Sequence, residues 1–375
     1  MAGIYIHIPF CRQACHYCDF HFSTNTKLKG QMLQALVQEL KLQQDYLGQT
    51  KVTSIYFGGG TPSLLAVAEL EALLTHINHL FPLAEQVEIT LEANPDDLGL
   101  AKLQGLRAAG INRLSIGIQT FQDELLHYLN RVHGSAQAMA SVELARQAGF
   151  DNLSIDLIYA IPGQTDEMWA QDLAIAMQLQ PTHLAAYCLT IEQNTVFGHW
   201  LRKGKLQAVV DEVAARQFEL LVEVLVAHHY EHYEISNFSL PRYHARHNTN
   251  YWKQGSYLGV GPGAHSYNGS TRQHNIAHNQ HYIQSIQQGI VPSTLEVLQR
   301  QDHINEYIMT HLRTQWGCDI AWLKAHYQYD LLEEQGAYLC QLIHQHLAWL
   351  QGDVLRLTTQ GRLLADKIAS DLFVA

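Results

Sequence analysis

The chain has 375 residues, of which 47% are hydrophobic and 16% are charged. These values are typical of a globular protein with a large core, and no stretch reaches the roughly 18 apolar residues that a membrane-spanning helix needs. A net charge of −11 with only 24 Lys and Arg argues against a nucleic-acid-binding surface, since such a surface carries a basic field. The N-terminus lacks the features of a signal peptide and six cysteines are too few for a disulfide framework, so we expect a cytoplasmic protein.

Short β-branched runs alternate with amphipathic segments through the first half of the chain. The predicted strands are Ile4–Pro9, Val52–Phe57, Val87–Leu91, Arg113–Ile118, Asn152–Tyr159 and His183–Ile191. The predicted helices between them are Gln31–Tyr46, Leu64–Leu80, Leu98–Ala109, Ala136–Ala148 and Asp166–Leu179. This alternation is typical of parallel βαβ units, and it predicts an α/β protein with a full or partial (β/α) barrel of the TIM type.

Three parts of the chain are predicted from this pattern. Residues 1–230 form the barrel core, and residues 231–290, which are rich in turns, form a connecting or capping region. Residues 291–375 begin with helical sequence and end in a hairpin-like segment, Asp353–Arg362, followed by the helix Leu363–Leu372. We interpret this tail as a small α+β domain of winged-helix type, which in an acidic chain serves protein packing more often than DNA binding.

Three cysteines follow the first predicted strand directly. Cys11, Cys15 and Cys18 have C-x3-C-x2-C spacing, and three thiolates from one loop can hold three corners of a [4Fe-4S] cubane while the fourth iron stays open. The amino and carboxylate groups of S-adenosylmethionine (SAM) can bind that iron, and an electron from the cluster then cleaves the sulfonium. A zinc site that adds His16 or His21 to the three cysteines is the alternative.

A glycine-rich turn follows the second predicted strand. Gly58, Gly59 and Gly60, followed by Thr61, allow a ligand to approach the backbone closely, and free amide groups in such a turn bind a carboxylate or a phosphate. The turn comes one βα unit after the cysteines, which places it beside the cluster. The methionine end of SAM must lie at the same place.

Polar side chains occur at or near the predicted carboxyl ends of the next strands, where a barrel builds its site. They are Glu92, Gln119, Arg131 and Asp156, the last of which lies within its strand. SAM carries a carboxylate, an ammonium and two ribose hydroxyls, and these side chains are a matching set. Arg131 suits the methionine carboxylate, and the other three suit the ammonium and the hydroxyls in an order that the sequence leaves open. Taken singly, each of them could instead be a salt bridge or a cap at the barrel rim.

With these motifs, the chain resembles the radical SAM family that contains the oxygen-independent coproporphyrinogen III oxidases and their relatives, the HemW haem chaperones. The resemblance covers most of the chain and lies in the segments YIHIPFC, GGGTPS, LEANP, SIGIQTF and DLIYAIPGQT. It implies a partial radical SAM barrel, a cluster on the three cysteines and a helical and winged C-terminal domain like that of the oxidase HemN. It also implies SAM contacts from Tyr5, Gly59, Gly60, Thr61, Glu92, Gln119, Arg131 and Asp156.

Two positions separate the branches of that family. The oxidases have a further cysteine two positions after the cluster motif, where this chain has Phe20. The chaperone branch is similar to this chain at that position and in an H-N-x-x-Y-W motif, which here is His247–Trp252. The resemblance therefore implies a haem chaperone, with oxidative decarboxylation of coproporphyrinogen propionates as the alternative activity.

The resemblance to the chaperones also implies partners. These are haem, haem-accepting respiratory proteins at the membrane and a reductant such as flavodoxin or ferredoxin, while a homodimer is left open. Imidazole is a usual axial ligand of haem iron, and aromatic rings suit a porphyrin face. We therefore expect His247 to contact the iron and Tyr251 and Trp252 to wall the haem site.

Overall fold

Twelve strands form one continuous sheet in the computed structural model of the protein, which describes residues 2–374. The strands are β1 Ala2–Ile8, β2 Val52–Gly59, β3 Leu83–Ala93, β4 Arg113–Gln119, β5 Asn152–Tyr159, β6 His183–Cys188, β7 Glu231–Glu234, β8 Asn237–Ser239, β9 Ser256–Val260, β10 His265–Tyr267, β11 Thr271–Asn275 and β12 Ser293–Val297. Their order in the sheet is β12-β11-β10-β9-β1-β2-β3-β4-β5-β6-β8-β7. Strands β1 to β6 are parallel and adjacent in chain order. The predicted α/β fold is thus confirmed, and the sheet is open, as in a partial barrel.

Helices connect the parallel strands. The helices are α1 Lys29–Leu42, α2 Val67–Leu80, α3 Leu100–Ala108, α4 Asp123–Tyr128, α5 Ser135–Gln147, α6 Asp166–Leu179, α7 Val196–Arg202, α8 Asp211–Ala227, α9 Arg246–Trp252, α10 Asn279–Gln287, α11 Arg300–Leu312, α12 Ile320–Tyr327, α13 Leu331–His344, α14 Thr359–Leu363 and α15 Ala365–Asp371. Helix α6 begins where Thr165 accepts a hydrogen bond from the Met168 amide, which is a standard N-cap. Among residues 2–374, none of these helices has the length and apolar character of a membrane span.

The sheet contains a seventh parallel strand, β9, which was not among the predicted strands. β9 lies beside β1 and pairs with it in parallel, with Ala2 opposite Ser256. The segment 231–290, predicted as a connecting or capping region, holds strands β7 to β11 and so extends the sheet at both edges. The short, glycine-containing sequence of β9 has no alternating pattern of its own, and its strand conformation depends on a partner more than 250 residues away.

The inner parallel strands alternate between apolar and polar side chains, because successive residues of a strand face opposite sides of the sheet. On the side that packs against the helices lie Ile55, Phe57, Leu91, Leu114, Ile116, Ile155 and Leu157, all buried. On the inner side of the curved sheet, which we call the barrel interior, lie Tyr56, Glu92, Arg113, Ser115, Ser154 and Asp156. The hydrophobic core thus sits outside the sheet, and the barrel interior is left for polar groups.

The C-terminal part has a hydrophobic core of its own. Buried side chains from Ile304 to Leu372 form a cluster separate from that of the barrel. A second sheet has the order β13-β15-β14, with β13 Cys318–Asp319, β14 Ala348–Gln351 and β15 Val354–Leu357. The hairpin of β14 and β15 begins before the predicted segment Asp353–Arg362, which contains only its second strand and the start of α14.

Candidate functional site

A cavity of about 390 Å³ opens at the carboxyl ends of β1 to β6 and extends into the barrel interior. Ten of the twelve predicted site residues line it, namely Cys11, Cys15, Cys18, Gly59, Gly60, Thr61, Glu92, Gln119, Arg131 and Asp156. Tyr5 and His247 are the two that do not. Phe20 stands at the mouth of the cavity with 71% of its surface exposed.

The loop that carries the cysteines is held by contacts from distant parts of the chain. The Cys11 amide donates to the Ser23 carbonyl at 3.1 Å, which closes the loop at its base. The Asn130 side chain donates to the Ala14 carbonyl at 2.7 Å. At the far side, His21 Nε2 lies 2.8 Å from Asn279 Oδ1, at the start of α10. The loop is therefore ordered by the folded protein as a whole.

The three thiols are free and lie in partly polar surroundings. The Thr61 hydroxyl donates to Cys11 Sγ at 3.4 Å, and Arg131 Nη1 donates to Cys15 Sγ at 3.4 Å. Burial raises the pKa of Cys11, and it raises the pKa of Cys18 to about 11. Buried thiolates need a positive partner, and iron provides one, while hydrogen bonds to sulfur are a usual means of tuning a cluster. The residues present fit a [4Fe-4S] cluster.

The zinc alternative fits the same loop less well. His16 Nδ1 is 2.9 Å from the Tyr128 carbonyl, and its ring packs on Trp200 with centroids 4.8 Å apart. His21 is bound to Asn279, as described above. Among residues 2–374, no three His, Cys, Asp or Glu side chains converge closely enough to hold one metal ion. A cubane does not need such convergence, because its irons lie at separate corners.

The glycine turn after β2 brings two loops into close contact. Gly59 has a φ of +109°, and a Cβ added there would lie 2.5 Å from the His7 ring. A Cβ on Gly60 would lie 2.6 Å from the Phe10 carbonyl oxygen and 3.0 Å from Cys11 Sγ. Only glycine allows this approach.

The amide groups of this turn are not free, which corrects the expectation that they bind a ligand carboxylate. The Gly60 amide donates to the Ile8 carbonyl at 2.9 Å, and the Thr61 amide donates to the Phe10 carbonyl at 2.7 Å. The Gly59 amide donates to Glu92 Oε2 at 3.1 Å. The first two bonds continue the parallel pairing of β1 and β2 into the turn, and the third joins the turn to a side chain of β3.

Two carboxyl groups lie in the barrel interior, and each accepts a hydrogen bond from a neighbouring hydroxyl group. Glu92 accepts the Tyr56 hydroxyl at 2.8 Å, and Asp156 accepts the Ser115 hydroxyl at 2.9 Å. Enclosure within the barrel raises the pKa of Glu92 to about 7 and that of Asp156 to about 6. Both groups can therefore ionise near neutral pH when a cation or a hydroxyl donor arrives.

Arg131 and Gln119 line the cavity near the carboxyl end of β4. Arg131 Nη2 donates to Asn94 Oδ1 at 2.7 Å and to the Gly117 carbonyl at 2.8 Å, which fixes the guanidinium beside Cys15. Gln119 ends β4 at a φ of +71°, where the register with β5 shifts. Asn94 was missed from the sequence, although its place two residues after Glu92 could have indicated it.

His247 lies at the opposite end of the barrel from the cysteines. Its ring contacts Gly3 and Ser54, at the amino-terminal ends of β1 and β2. Nδ1 is 2.9 Å from the Ser54 hydroxyl and Nε2 is 2.7 Å from the Tyr251 hydroxyl, so neither nitrogen is free in this structure. Burial lowers the pKa of His247 to about 3, and the ring is neutral. The Trp252 ring lies against Arg313 at 5.4 Å.

Tyr5 lies between Tyr56, which lines the cavity, and His247. Its ring stacks on Tyr56, with centroids 6.1 Å apart, and on His247 at 6.3 Å. Its hydroxyl is 3.2 Å from His7 Nδ1. Tyr5 thus lies behind Tyr56, outside the lining of the cavity.

The model of the radical SAM superfamily matches residues 5–175 of this chain. The protein "Heme chaperone HemW" of Bacillus subtilis is 37% identical over 372 residues, which are 98% of this chain and 98% of that protein. The protein of the same name from Lactococcus lactis is 35% identical and covers 97% of this chain and 95% of its own length.

Among solved structures, coproporphyrinogen III oxidase (HemN) from Escherichia coli aligns with a TM-score of 0.86. The alignment covers 100% of this chain and 90% of that chain at 24% sequence identity, and it shows a shared fold. The identities to the two HemW proteins extend over nearly the whole chain. The chain therefore belongs to the HemW family of the radical SAM superfamily.

Proposed function

We propose that this protein is a haem chaperone, which binds haem and delivers it to haem-accepting respiratory proteins at the membrane. The observation that carries the proposal is the 37% identity to a protein named heme chaperone over 98% of both chains. In this proposal, a [4Fe-4S] cluster with bound SAM is a resident group, and a flavodoxin or ferredoxin supplies its electron.

The cavity supports the SAM part of this proposal. Cys11, Cys15 and Cys18 would hold the cluster, and the fixed guanidinium of Arg131 would orient the methionine carboxylate beside it. Glu92 would accept a hydrogen bond from the amino group of SAM, since it lines the same cavity and its pKa of about 7 lets it ionise near neutral pH. When bound, a reduced cluster with SAM supplies one-electron cleavage of the sulfonium.

Phe20 supports the chaperone over the oxidase. It occupies the mouth of the cavity with an exposed apolar ring, where a porphyrin face can pack.

Anaerobic incubation of the reconstituted protein with coproporphyrinogen should give no decarboxylated product. Incubation of the haem-loaded protein with a haem-free respiratory enzyme in vesicles should restore the haem spectrum of that enzyme. Decarboxylation without haem transfer would overturn the proposal.

His247 remains the proposed haem ligand, and its hydrogen bonds indicate what binding to iron would require. The Tyr251 hydroxyl must leave Nε2, because a lone pair cannot serve a proton and iron together. Haem binding at His247 is therefore coupled to a rotation of the Tyr251 side chain, since both residues lie on α9. Since the ring is neutral down to about pH 3, no proton has to be removed first.

Three variants test the ligand. His247→Ala should weaken haem binding at least tenfold and change the Soret spectrum, because the axial bond is lost. Tyr251→Phe should strengthen binding, since it frees Nε2 while preserving the ring. His228→Ala is the matched control at an exposed histidine outside the motif. An unchanged affinity and spectrum in His247→Ala, with circular dichroism showing a folded protein, would exclude His247 as the ligand.

A further inference from the structure

Arg113 is a buried cation without a partner. It begins β4, is 2% exposed and lines the cavity. Its Nε has no hydrogen-bond partner, and the guanidinium takes part in no salt bridge among residues 2–374. Burying a charged group without a partner costs several kcal/mol, so such a group usually serves a ligand.

Other enclosed arginines of this protein are paired. Arg131 donates to Cys15, Asn94 and Gly117. Arg362 donates to the His232 carbonyl at 2.9 Å. Arg113 therefore differs in having its donors directed at a cavity instead of at protein acceptors.

Arg113 lies deeper in the barrel than the groups assigned to SAM. It precedes Ser115, the hydroxyl partner of Asp156, by two residues, which is about 7 Å along a strand. In the register of β3 and β4, Arg113 is opposite Thr90, whereas Glu92 is opposite Ser115. SAM bound between the cysteines and Glu92 would leave Arg113 uncovered.

The groups around Arg113 carry no compensating negative charge at contact distance. Its charge acts to lower the pKa of groups on six different elements, namely Tyr56, Glu92, Asp156, His183, Tyr233 and His247. His183 is held neutral by burial and is bonded to Ser154 and Tyr233. The amide side chains of Asn237 and Asn248 also line the cavity, and Asn237 Oδ1 has no partner.

We propose that Arg113 binds a carboxylate group at the floor of this cavity. A guanidinium presents two parallel N–H groups that match the two oxygens of a carboxylate. A single cation favours a singly charged anion over a phosphate dianion, and Glu92 and Asp156 in the same cavity disfavour further negative charge. The carboxylate belongs either to a free small acid or to a propionate arm of haem, and the second source rests on the proposed function.

The first test uses acetate on the reconstituted full-length protein. Binding of ¹³C-acetate, followed by NMR at constant ionic strength, should be detected in the native protein and should be at least tenfold weaker in Arg113→Met. Arg113→Lys should be intermediate, because it keeps the charge but loses the paired donors. Acetamide, the neutral isostere, should not bind.

The thermal stability of the variants separates this role from a structural one. Arg113→Met removes an unpaired buried charge, so its Tm should equal or exceed that of the native protein. A Tm that falls in Arg113→Met and recovers in Arg113→Lys, with no acetate binding by the native protein, would overturn the proposal. Arg113 would then serve only as a distant counter-charge for Glu92 and Asp156.

The second test compares haem with haem dimethyl ester, which lacks free carboxylates. If a propionate is the ligand, the native protein should prefer haem at least tenfold, and Arg113→Met should lose that preference. Acetate binding without a preference for haem supports a free small acid. Neither acetate binding nor a preference for haem would refute the carboxylate site, while haem uptake itself would leave the proposed function intact.

Discussion

The affinity for SAM should rise with pH, and Glu92 should cause the rise. Enclosure raises the pKa of this carboxyl to about 7, well above the usual value for glutamate. The charged form, which is the better acceptor for the SAM amino group, is therefore about nine-tenths populated at pH 8 and about one-tenth populated at pH 6. If only the charged form binds, the apparent affinity falls about tenfold between these two pH values.

Equilibrium binding of SAM to the anaerobically reconstituted protein measures this effect. Glu92→Gln keeps the size of the side chain and removes the charge, so affinity at pH 8 should fall by roughly 10-fold to 150-fold, the worth of a charge-assisted hydrogen bond. The same variant should show a shallower profile between pH 6 and pH 8, because only the ionisation of the SAM amino group then contributes. The visible absorbance of the cluster, recorded at each pH, shows that the cluster itself is intact.

Asp156→Asn is the matched control. The pKa of Asp156 is about 6, so this carboxyl titrates mostly below the range in which Glu92 titrates. The Asp156→Asn variant should therefore keep the pH dependence of SAM affinity between pH 7 and pH 8. A native protein with constant affinity from pH 6 to pH 8 would refute the reasoning. So would a slope that is undiminished in Glu92→Gln, because the titrating group would then lie elsewhere.

Two further variants test the cysteine loop. Cys15→Ala should abolish the cluster absorbance, because it removes one of the three thiolate ligands. Cys340→Ala, at an exposed cysteine far from the motif, is the control and should have no effect. A full cluster in Cys15→Ala would show that the ligands are misassigned. Gly60→Ala should lower Tm and cluster content, because its methyl would lie 3.0 Å from Cys11 Sγ and 2.6 Å from a main-chain oxygen, a clash worth about 1–3 kcal/mol. Gly336→Ala, with open space around a helical position, should instead raise Tm, and equal effects of the two alanines would contradict the packing argument.

Local sequence patterns were sufficient to predict the parallel strands that build the site. Helix α6, Asp166–Leu179, has the predicted bounds, because its apolar residues recur with the helical period. β3 begins at Leu83 instead of Val87, since its first residues form strand only through pairing with Val52. β9 was not predicted for a similar reason. It pairs with β1, which lies far away in the sequence, and a short stretch of sequence contains no information about that pairing.

The positions of the ten residues that line the cavity were predictable, whereas those of Tyr5 and His247 and the hydrogen-bond partners were not. Cysteines and glycines after strands reach the carboxyl end of a barrel by topology alone. His247, by contrast, has its environment fixed by Ser54, 193 residues earlier in the chain. The burial of Arg113 could not be predicted, because an arginine at the start of a strand is usually at the surface and this one is buried only by the packing of the folded protein.

The order of synthesis gives the pairing of β1 with β9 a further meaning. β1 gains its second neighbour only when residues 256–260 exist, and the cysteine loop gains its bond from His21 to Asn279 later still. At roughly 5–20 residues per second, a ribosome needs about 13–50 s to make the 258 residues between these two partners. During that time the three thiols belong to a loop that is not yet held in place. The loop that carries the three cysteines is therefore held at both ends only in a nearly complete chain.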